Sequence, residues 1–319
     1  MGRYLVRRVL LAIPTLLLIS FVLYAVLSLA PGDPLSQFAA NPSVPPEVRE
    51  NIRRSLGLDQ PWPVRYVKWL IALAQGDWGY SFASRIPVWD LIKLRIPSTL
   101  AVVGVAYLVS LILAIPIGIL SAVKQYSIFD HIATSFAFIG FSVPTFFTGL
   151  LLIIILSVKL QWLPFIYDST LQVHDLSTLG LQVKQSIMPI AVLALFQTAT
   201  FVRYTRASML ENLPQDYVRT ARAKGLAEAV VIGGHVVRNS LIPVITLMAL
   251  TAPTIFSGAL ITEQIFRVPG IGSLLITSIQ NNDIPVIMAI TFTFSILVVL
   301  FNLIADLTYG FLDPRIRYD

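Results

Sequence analysis

Apolar residues dominate six long stretches of the chain, and more polar segments separate them. A helix needs about 20 mostly apolar residues to cross a bilayer. The pattern therefore predicts six membrane-spanning helices, at 9–30, 99–123, 132–158, 186–202, 241–261 and 285–307. The fourth stretch is the shortest and contains Pro189 and Gln197, so we expect that helix to be buried among the others. The prolines inside the stretches, at positions 14, 116, 144, 189 and 253, predict kinks.

The first stretch follows three arginines, as the apolar region of a secretory signal also follows basic residues. Such a region spans about 7 to 15 residues, whereas 9–30 contains 22 uncharged residues. The first stretch therefore predicts a membrane helix that is retained.

Lysine and arginine positions predict the orientation of the chain, because short cytoplasmic segments are enriched in them and long loops are not informative. With the N-terminus inside, twelve fall in inner segments and three in short outer segments. The inner set is Arg3, Arg7, Arg8, Lys124, Arg203, Arg206, Arg219, Arg222, Lys224, Arg238, Arg315 and Arg317, and the outer set is Lys159, Lys184 and Arg267. We expect both termini in the cytoplasm. This bias accounts for the net charge of +6 without nucleic-acid binding.

Composition excludes several classes of protein. Apolar residues make up 56% of the chain and charged residues 13%, whereas a soluble domain has about 25% charged residues. The mean hydropathy is +0.77. A soluble enzyme, a disordered regulator and a fibrous protein are therefore excluded. The chain has no cysteine, which excludes a disulfide scaffold and a cysteine-based metal site.

The segment 31–98 carries eight Lys or Arg, six Asp or Glu and four tryptophans. It is too long to be a bare connection. We expect a short helix after Pro45 and Pro46, and tryptophans at the interface between membrane and water. The segment therefore predicts a small extracytoplasmic cap, which either packs only or also contacts a ligand.

The segment 203–240 is amphipathic. A helix that starts near Pro214 would gather five residues on one face: Val218, Ala221, Arg222, Gly225 and Leu226. Small residues make this face approachable, which favours docking into a groove of a partner protein. An interfacial helix held by lipid head groups is the alternative.

Two carboxylates near the ends of apolar stretches are candidates for chemistry. Glu263 lies at the outer end of the fifth stretch and Asp306 near the inner end of the sixth. Because a carboxylate in a bilayer is costly, both suggest a carrier driven by an ion gradient, or a structural role in pairing or helix capping. His131 and His174 lack the spacing of metal ligands. The Gly-x-x-x-x-Gly-Lys-Ser/Thr loop that cradles ATP does not occur, so we expect no catalytic site, cofactor or metal in this chain.

Short motifs along the whole chain resemble one family. The run DYVRTARAKGL occupies 216–226 and RNSLIPV occupies 238–244. The others are RR at 7–8, PGDP at 31–34, GDWGYS at 76–81, RIPSTL at 95–100, PGIG at 269–272, DIP at 283–285 and DPR at 313–315. In this order they resemble the permeases of ATP-binding cassette (ABC) importers, in the branch of dipeptide, oligopeptide and nickel permeases. The runs at 216–226 and 238–244 are similar to the EAA loop of that family.

The resemblance implies an all-α polytopic membrane protein with the transmembrane architecture of a type I ABC importer. Its six helices would comprise an N-terminal helix at 1–30 and a five-helix core at 99–319. The cap would occupy 31–98, and an EAA-type loop with the coupling helix would occupy 203–240. The implied function is that of a permease subunit in the ATP-driven import of di- and oligopeptides or a related solute such as a nickel complex.

The resemblance also implies partners and site residues. The partners would be a second permease subunit, two ATP-binding subunits that hold ATP and Mg, and an extracytoplasmic solute-binding protein, in the cytoplasmic (inner) membrane of a bacterium or archaeon. The residues that couple to the ATPase would be Val218, Arg219, Thr220, Ala221, Arg222, Ala223, Lys224, Gly225 and Leu226. The translocation path would be lined by Phe141, Ser142, Pro144, Thr145 and Glu263.

The chain departs from the family pattern at two places. Residues 219–221 read Arg-Thr-Ala where Glu-Ala-Ala is usual, and Asn282 stands where an arginine is expected. Because of the second departure, no salt bridge or substrate contact is assigned to that turn, and the expected fold is unaffected. Besides the importer and the ion-driven carrier, a membrane scaffold that recruits a soluble partner through 203–240 remains an alternative.

Overall fold

The computed structural model describes residues 2–29, 59–171, 173–253 and 259–312, and the single positions 47, 50, 54 and 255. For residues 2–6 and 306–312 it describes the backbone only. Within this part of the chain the structure is helical, with one isolated β-bridge between Tyr80 and Pro87.

Eleven helices occur within the described ranges. They are α1 (Gly2–Leu29), α2 (Trp62–Ala74), α3 (Val88–Val123), α4 (Ile128–Ser142), α5 (Thr145–Lys159), α6 (Leu176–Asn212), α7 (Asp216–Ala223), α8 (Glu228–Thr251), α9 (Leu260–Phe266), α10 (Ile271–Gln280) and α11 (Ile284–Leu312).

Five of these helices are long and apolar enough to cross a membrane, and α4 with α5 supplies a sixth, broken span. The kink expected at Pro144 is confirmed, because α4 and α5 meet at an angle of 101°. Proline has no N–H to donate and disfavours a helical residue before it. Val143 accordingly adopts an extended conformation, with φ −85° and ψ 124°. Pro14, Pro116 and Pro189, by contrast, lie within continuous helices.

The predicted ends of several spans are wrong. Helix α3 begins at Val88 rather than at 99, so the last residues assigned to the cap are helical. Helix α6 has 37 residues, far more than the predicted 186–202. Helix α8 begins at Glu228 and ends at Thr251, whereas a continuous helix was expected over 241–261. The early starts of α3 and α8 and the length of α6 arise because helical backbone hydrogen bonds continue into segments that contain polar residues. The helix predicted after Pro46 falls mostly outside the described residues.

The chain divides into two compact units. The first unit comprises the described parts of Met1–Pro97 and Ser273–Leu300, and the second comprises those of Ser98–Gly272 and Phe301–Arg317.

Aromatic contacts hold the first unit together. Phe21 of α1 packs against Trp62 and Tyr66 of α2, with ring centroids 5.6 and 5.5 Å apart. The side chain of Ser20 forms a hydrogen bond of 3.0 Å with the Tyr66 hydroxyl. Trp69 meets Phe292 of α11 edge to face at 5.7 Å. Rings in such arrangements add stability beyond the area that they bury, so α2 is attached to α1 mainly by its aromatic side.

Helix α6 lies at the centre of the second unit, as expected for the fourth apolar stretch. Small residues allow its neighbours to approach closely. A Cβ added at Gly118 of α3 would come within 2.6 Å of the Cβ of Thr205, and one at Gly140 of α4 within 3.2 Å of that of Ala199. The Tyr107 hydroxyl of α3 donates a hydrogen bond of 2.5 Å to the Met248 carbonyl of α8. Helices α3 and α4 therefore pack closely against α6, and α8 is hydrogen-bonded to α3.

Candidate functional site

Helix α7 is the short helix expected within 203–240. It spans Asp216–Ala223, with Asp216 in its first turn and Arg222 in its last. This order of charges complements the helix dipole. The helix ends before Gly225, whose φ of +78° is in the left-handed region that glycine adopts without strain. Gly225 therefore forms the turn after α7 and does not belong to a helical face.

The buried side of α7 corrects the predicted docking face. Val218 is 0% exposed and Ala221 5%, and both pack in a cluster of the same chain with Met209, Val231 and Val236. An apolar pair three residues apart on a polar helix favours burial against the core of its own chain. The two residues expected to face a partner therefore anchor α7. On α7, Arg219, Thr220, Arg222 and Ala223 are exposed, and in the turn after it Lys224, Gly225 and Leu226 are exposed.

An ion pair spans the turn after α7. The Nε and Nη2 atoms of Arg222 donate hydrogen bonds to Oε2 and Oε1 of Glu228, at 3.1 and 2.6 Å. These hydrogen bonds raise the pKa of the Arg222 guanidinium above its ordinary value. No atom lies within 4 Å of a Cβ added at Gly225, so the tip of the turn faces open space. The pair joins the end of α7 to the start of α8 and leaves the tip accessible.

Hydrogen bonds join α6, which precedes α7, to α8, which follows the turn. Ser208 of α6 donates a hydrogen bond of 2.8 Å to the Ser240 carbonyl of α8, and Ser240 donates one of 3.3 Å to the Ser208 carbonyl. Arg206 of α6 forms an ion pair of 2.7 Å with Asp130 of α4. Helix α6, which precedes α7, is therefore bonded both to α8, which follows the turn, and to α4.

Glu263 is fully buried within the second unit. The Thr99 hydroxyl donates a hydrogen bond of 3.2 Å to its carboxylate and accepts one of 2.8 Å from the Ile271 N–H. A Cβ added at Gly270 would clash with this carboxylate, and one at Gly272 would come within 2.9 Å of Oε2. The glycines of the PGIG motif therefore leave room for a buried carboxylate. The side chain of Asp306 lies outside the described residues.

Four of the five predicted path residues come together at the break between α4 and α5. Thr145 borders a cavity of about 310 Å³ whose lining includes Phe196, Gln197 and Thr262. Phe141 stacks on Phe196, with centroids 5.9 Å apart. Ser142 and Pro144 flank the break and are exposed. Glu263 is enclosed, in contrast to these residues. Phe196 was missed, although the polar Gln197 beside it marked this part of α6.

Asp283 in the first unit is a buried carboxylate next to the departure at Asn282. Asp283 accepts hydrogen bonds from the Ser81 hydroxyl at 2.5 Å and from the N–H groups of Phe82 and Ala83 at 3.0 and 3.2 Å. Asn282 adopts a left-handed φ of 51°. Backbone and hydroxyl donors thus satisfy Asp283 where an arginine was expected. Sequence reasoning missed this contact, because the motifs at 76–81 and 283–285 are far apart in the chain.

The described residues contain no group of three His, Cys, Asp or Glu side chains that could hold a metal ion.

Comparison with known proteins places the chain in one family. Residues 114–318 match the binding-protein-dependent transport system inner membrane component family, and residues 1–103 match its N-terminal membrane component. The chain is 42% identical to the oligopeptide transport system permease protein AppB of Bacillus subtilis, covering 100% of both chains. It is 37% identical to the dipeptide transport system permease protein DppB of Escherichia coli K12, covering 100% of this chain and 99% of that one. It is also 37% identical to the di/tripeptide transport system permease protein DppB of Pseudomonas aeruginosa, covering 99% and 98%. The chain belongs to the family of inner-membrane components of binding-protein-dependent transport systems.

Proposed function

We propose that this chain is a permease subunit that imports di- and oligopeptides with energy from ATP. The observation that carries the proposal is similarity over the whole chain to permeases named for oligopeptide, dipeptide and di/tripeptide transport. Membership of a binding-protein-dependent family also favours an importer over a carrier driven by an ion gradient. The burial of Glu263 beneath the PGIG turn supports the same choice, since it gives that carboxylate a structural role.

The assembly that we propose contains this chain and a second permease, two ATP-binding subunits and an extracytoplasmic solute-binding protein. The translocation path runs between the two permeases and is lined on this chain by Phe141, Ser142, Pro144 and Thr145. The broken span and the adjoining cavity support this location. Glu263 packs inside the chain and does not line the path, because its side chain is fully buried.

Residues 218–226 form the proposed coupling element, which receives the motion of the ATPase. Val218 and Ala221 attach α7 to its own chain, so force applied at the tip is transmitted to the cluster that also holds Met209 and Val236. The exposed side of α7 and the turn at Gly225 contact the ATP-binding subunit. This division between anchoring and contacting residues is supported by the burial along α7.

The proposed setting is the inner membrane of a bacterium or archaeon, with both termini in the cytoplasm. Residues 1–30 form the N-terminal helix of the permease, 31–98 the extracytoplasmic segment and 99–319 the core. Because helix α3 begins at Val88, the extracytoplasmic segment passes directly into the second span without a loop at 98.

The first experiment is purification of the tagged chain from its own cells in mild detergent, followed by identification of bound proteins, ATPase measurement and peptide uptake. Gly225→Trp should abolish ATPase association, because its bulky side chain projects where the partner docks. Gly225→Asn is the matched control, since asparagine tolerates the left-handed conformation and is small. Gly180→Trp is a second control for bulk, because position 180 is also open.

Recovery of an ATP-binding subunit and a second permease with the wild type, and loss of the ATPase only in Gly225→Trp, supports the proposal. An unchanged complex in Gly225→Trp rejects the assignment of the coupling element. A wild-type chain that binds neither partner and takes up no peptide rejects the importer itself.

Orientation is tested by labelling single cysteines in the intact cell. The chain has no cysteine, so Ser84→Cys and Lys124→Cys each introduce a unique thiol at an exposed position. A membrane-impermeant reagent should label position 84 and leave position 124 unlabelled until the membrane is opened. The reverse pattern contradicts cytoplasmic termini.

A further inference from the structure

Arg203 on α6 holds its guanidinium over two aromatic rings. The Cζ atom lies 4.9 Å from the ring centroid of Phe141 and 5.7 Å from that of Phe138. A cation within about 6 Å of a ring face is attracted by the quadrupole of the ring. Both rings therefore restrict where the guanidinium can lie.

Arg203 keeps its charge accessible. The side chain is exposed, and none of the ion pairs among the described residues includes it. Arg206, three residues later on the same helix, is bonded through Nε and Nη2 to Asp130. Of these two arginines, Arg206 uses its Nε–Nη2 edge for Asp130, whereas the ion pairs of the described residues leave the same edge of Arg203 for a ligand.

The ring beneath Arg203 connects it to the proposed path. Phe141 stacks on Phe196 with an angle of 14° between the ring planes. Phe196 also lines the cavity that Thr145 borders. Residues 196 and 203 are two helical turns apart and so share one side of α6. A continuous series of contacts therefore runs from the cavity to the guanidinium.

The chemistry of the site favours a carboxylate. A guanidinium presents five N–H donors in a planar fork that matches a carboxylate. Every linear peptide with a free C-terminus carries one carboxylate, and acidic peptides carry more. Because the rings already order the arginine, binding costs less conformational entropy than with a free side chain.

We propose that Arg203 contacts the cargo in the translocation path and binds the side-chain carboxylates of acidic peptides. This inference rests on the proposed function. A phospholipid head group would satisfy the same donors, but an arginine that reaches head groups does so on a mobile stem. The two rings that hold Arg203, and their link to the cavity, favour the peptide.

The test uses the complete transporter, with its partner subunits and binding protein, reconstituted in vesicles. Uptake of alanyl-alanine is compared with uptake of glutamyl-glutamate, which has two further carboxylates. Arg203→Gln should lower the maximal rate for the acidic peptide about tenfold more than for the neutral one, since a hydrogen bond to a charged group contributes about that factor. Arg203→Lys keeps the charge and should give a smaller change.

Two further variants separate this role from a general effect. Lys124→Gln removes another exposed positive charge, at the end of α3, and should leave the ratio of the two rates unchanged. Phe141→Leu removes a ring beneath Arg203 and should change the ratio in the same direction as Arg203→Gln, by a smaller factor. Peptide affinity of the binding protein should be the same in every preparation.

A selective loss for the acidic peptide supports the proposal. An equal effect of Arg203→Gln on both peptides, or no effect, overturns it. If that equal effect varies with the anionic lipid content of the vesicles, Arg203 binds lipid instead. If the wild-type transporter takes up neither peptide, the proposed function fails, and this is distinguished from a failure of the Arg203 proposal alone.

Discussion

Two arginine–carboxylate pairs in the second unit have the same bonding pattern and very different surroundings. Arg206 donates from Nε and Nη2 to the two oxygens of Asp130, at 2.7 and 2.8 Å. Arg222 donates from the same atoms to Glu228, at 3.1 and 2.6 Å. The side chains of Asp130 and Arg206 are 3% and 24% exposed, whereas those of Glu228 and Arg222 are 54% and 44% exposed.

The difference shows that burial, rather than hydrogen-bond geometry, determines how much an ion pair contributes to stability. Asp130 also accepts hydrogen bonds from the Ser121 hydroxyl and, at 2.9 Å, from the Tyr126 N–H. Removing one partner of a buried pair leaves a charge without compensation, whereas water can solvate either partner of an exposed pair. The Asp130 pair therefore stabilises the packing of α3, α4 and α6, and the Arg222 pair shapes an accessible turn.

The largest expected effect on stability comes from Asp130→Ala. It leaves the half-buried Arg206 guanidinium unpaired, which should lower the free energy of unfolding by about 3 kcal/mol. The measurement is the unfolding midpoint of the purified protein in detergent, followed by tryptophan fluorescence. Adding Arg206→Met should restore part of the loss, because no unpaired charge then remains. If the unfolding midpoint decreases no more than it does when the exposed Arg222–Glu228 pair is removed, the two pairs contribute equally to stability.

A smaller effect is expected from Arg206→Lys. Lysine keeps the positive charge but lacks the planar fork that reaches both carboxylate oxygens. The loss of one charge-assisted hydrogen bond should lower the free energy of unfolding by about 1.5 kcal/mol. The same unfolding measurement applies, with Lys124→Arg as a control for a change between the two basic residues at an exposed site. Full stability in Arg206→Lys would mean that charge alone supports the packing.

The smallest effect on stability is expected from Glu228→Gln. The exposed Arg222 remains solvated when its partner is neutral, so the unfolding midpoint should not change measurably. Association with the proposed ATP-binding subunit should weaken slightly, because the turn at Gly225 loses the ion pair that spans it. Purification of the complex at increasing salt concentration measures this association. A clear drop in the unfolding midpoint would contradict the contrast between the buried and the exposed pair.

Three arginines that are equivalent in a count of charges have different surroundings in the structure. Arg203, Arg206 and Arg222 all contribute to the basic bias that predicts orientation. In the structure Arg206 is paired in the packing, Arg222 braces a turn, and Arg203 lies over aromatic rings. A count of charges contains no information about these partners, because Asp130 and Phe141 lie far away in sequence.

Burial along α7 shows a similar limit. Helical periodicity was correct that Val218 and Ala221 share a face. It was wrong that these two residues are available to a partner, because the cluster with Met209 and Val236 covers them. The other residues of the predicted face, Arg222, Gly225 and Leu226, are exposed. Periodicity identifies which residues share a side of a helix. It does not identify whether the same chain or another one covers that side.

The apolar pattern was sufficient to predict an all-α membrane protein and the approximate place of each span, because the cost of an unpaired backbone in lipid requires long apolar helices. Motif order was sufficient to predict the family. The three-dimensional packing determined the hydrogen bonds of Asp283 with residues 81–83 and the enclosure of Glu263 beneath Gly270. Both depend on contacts between groups that become neighbours only when the chain has folded.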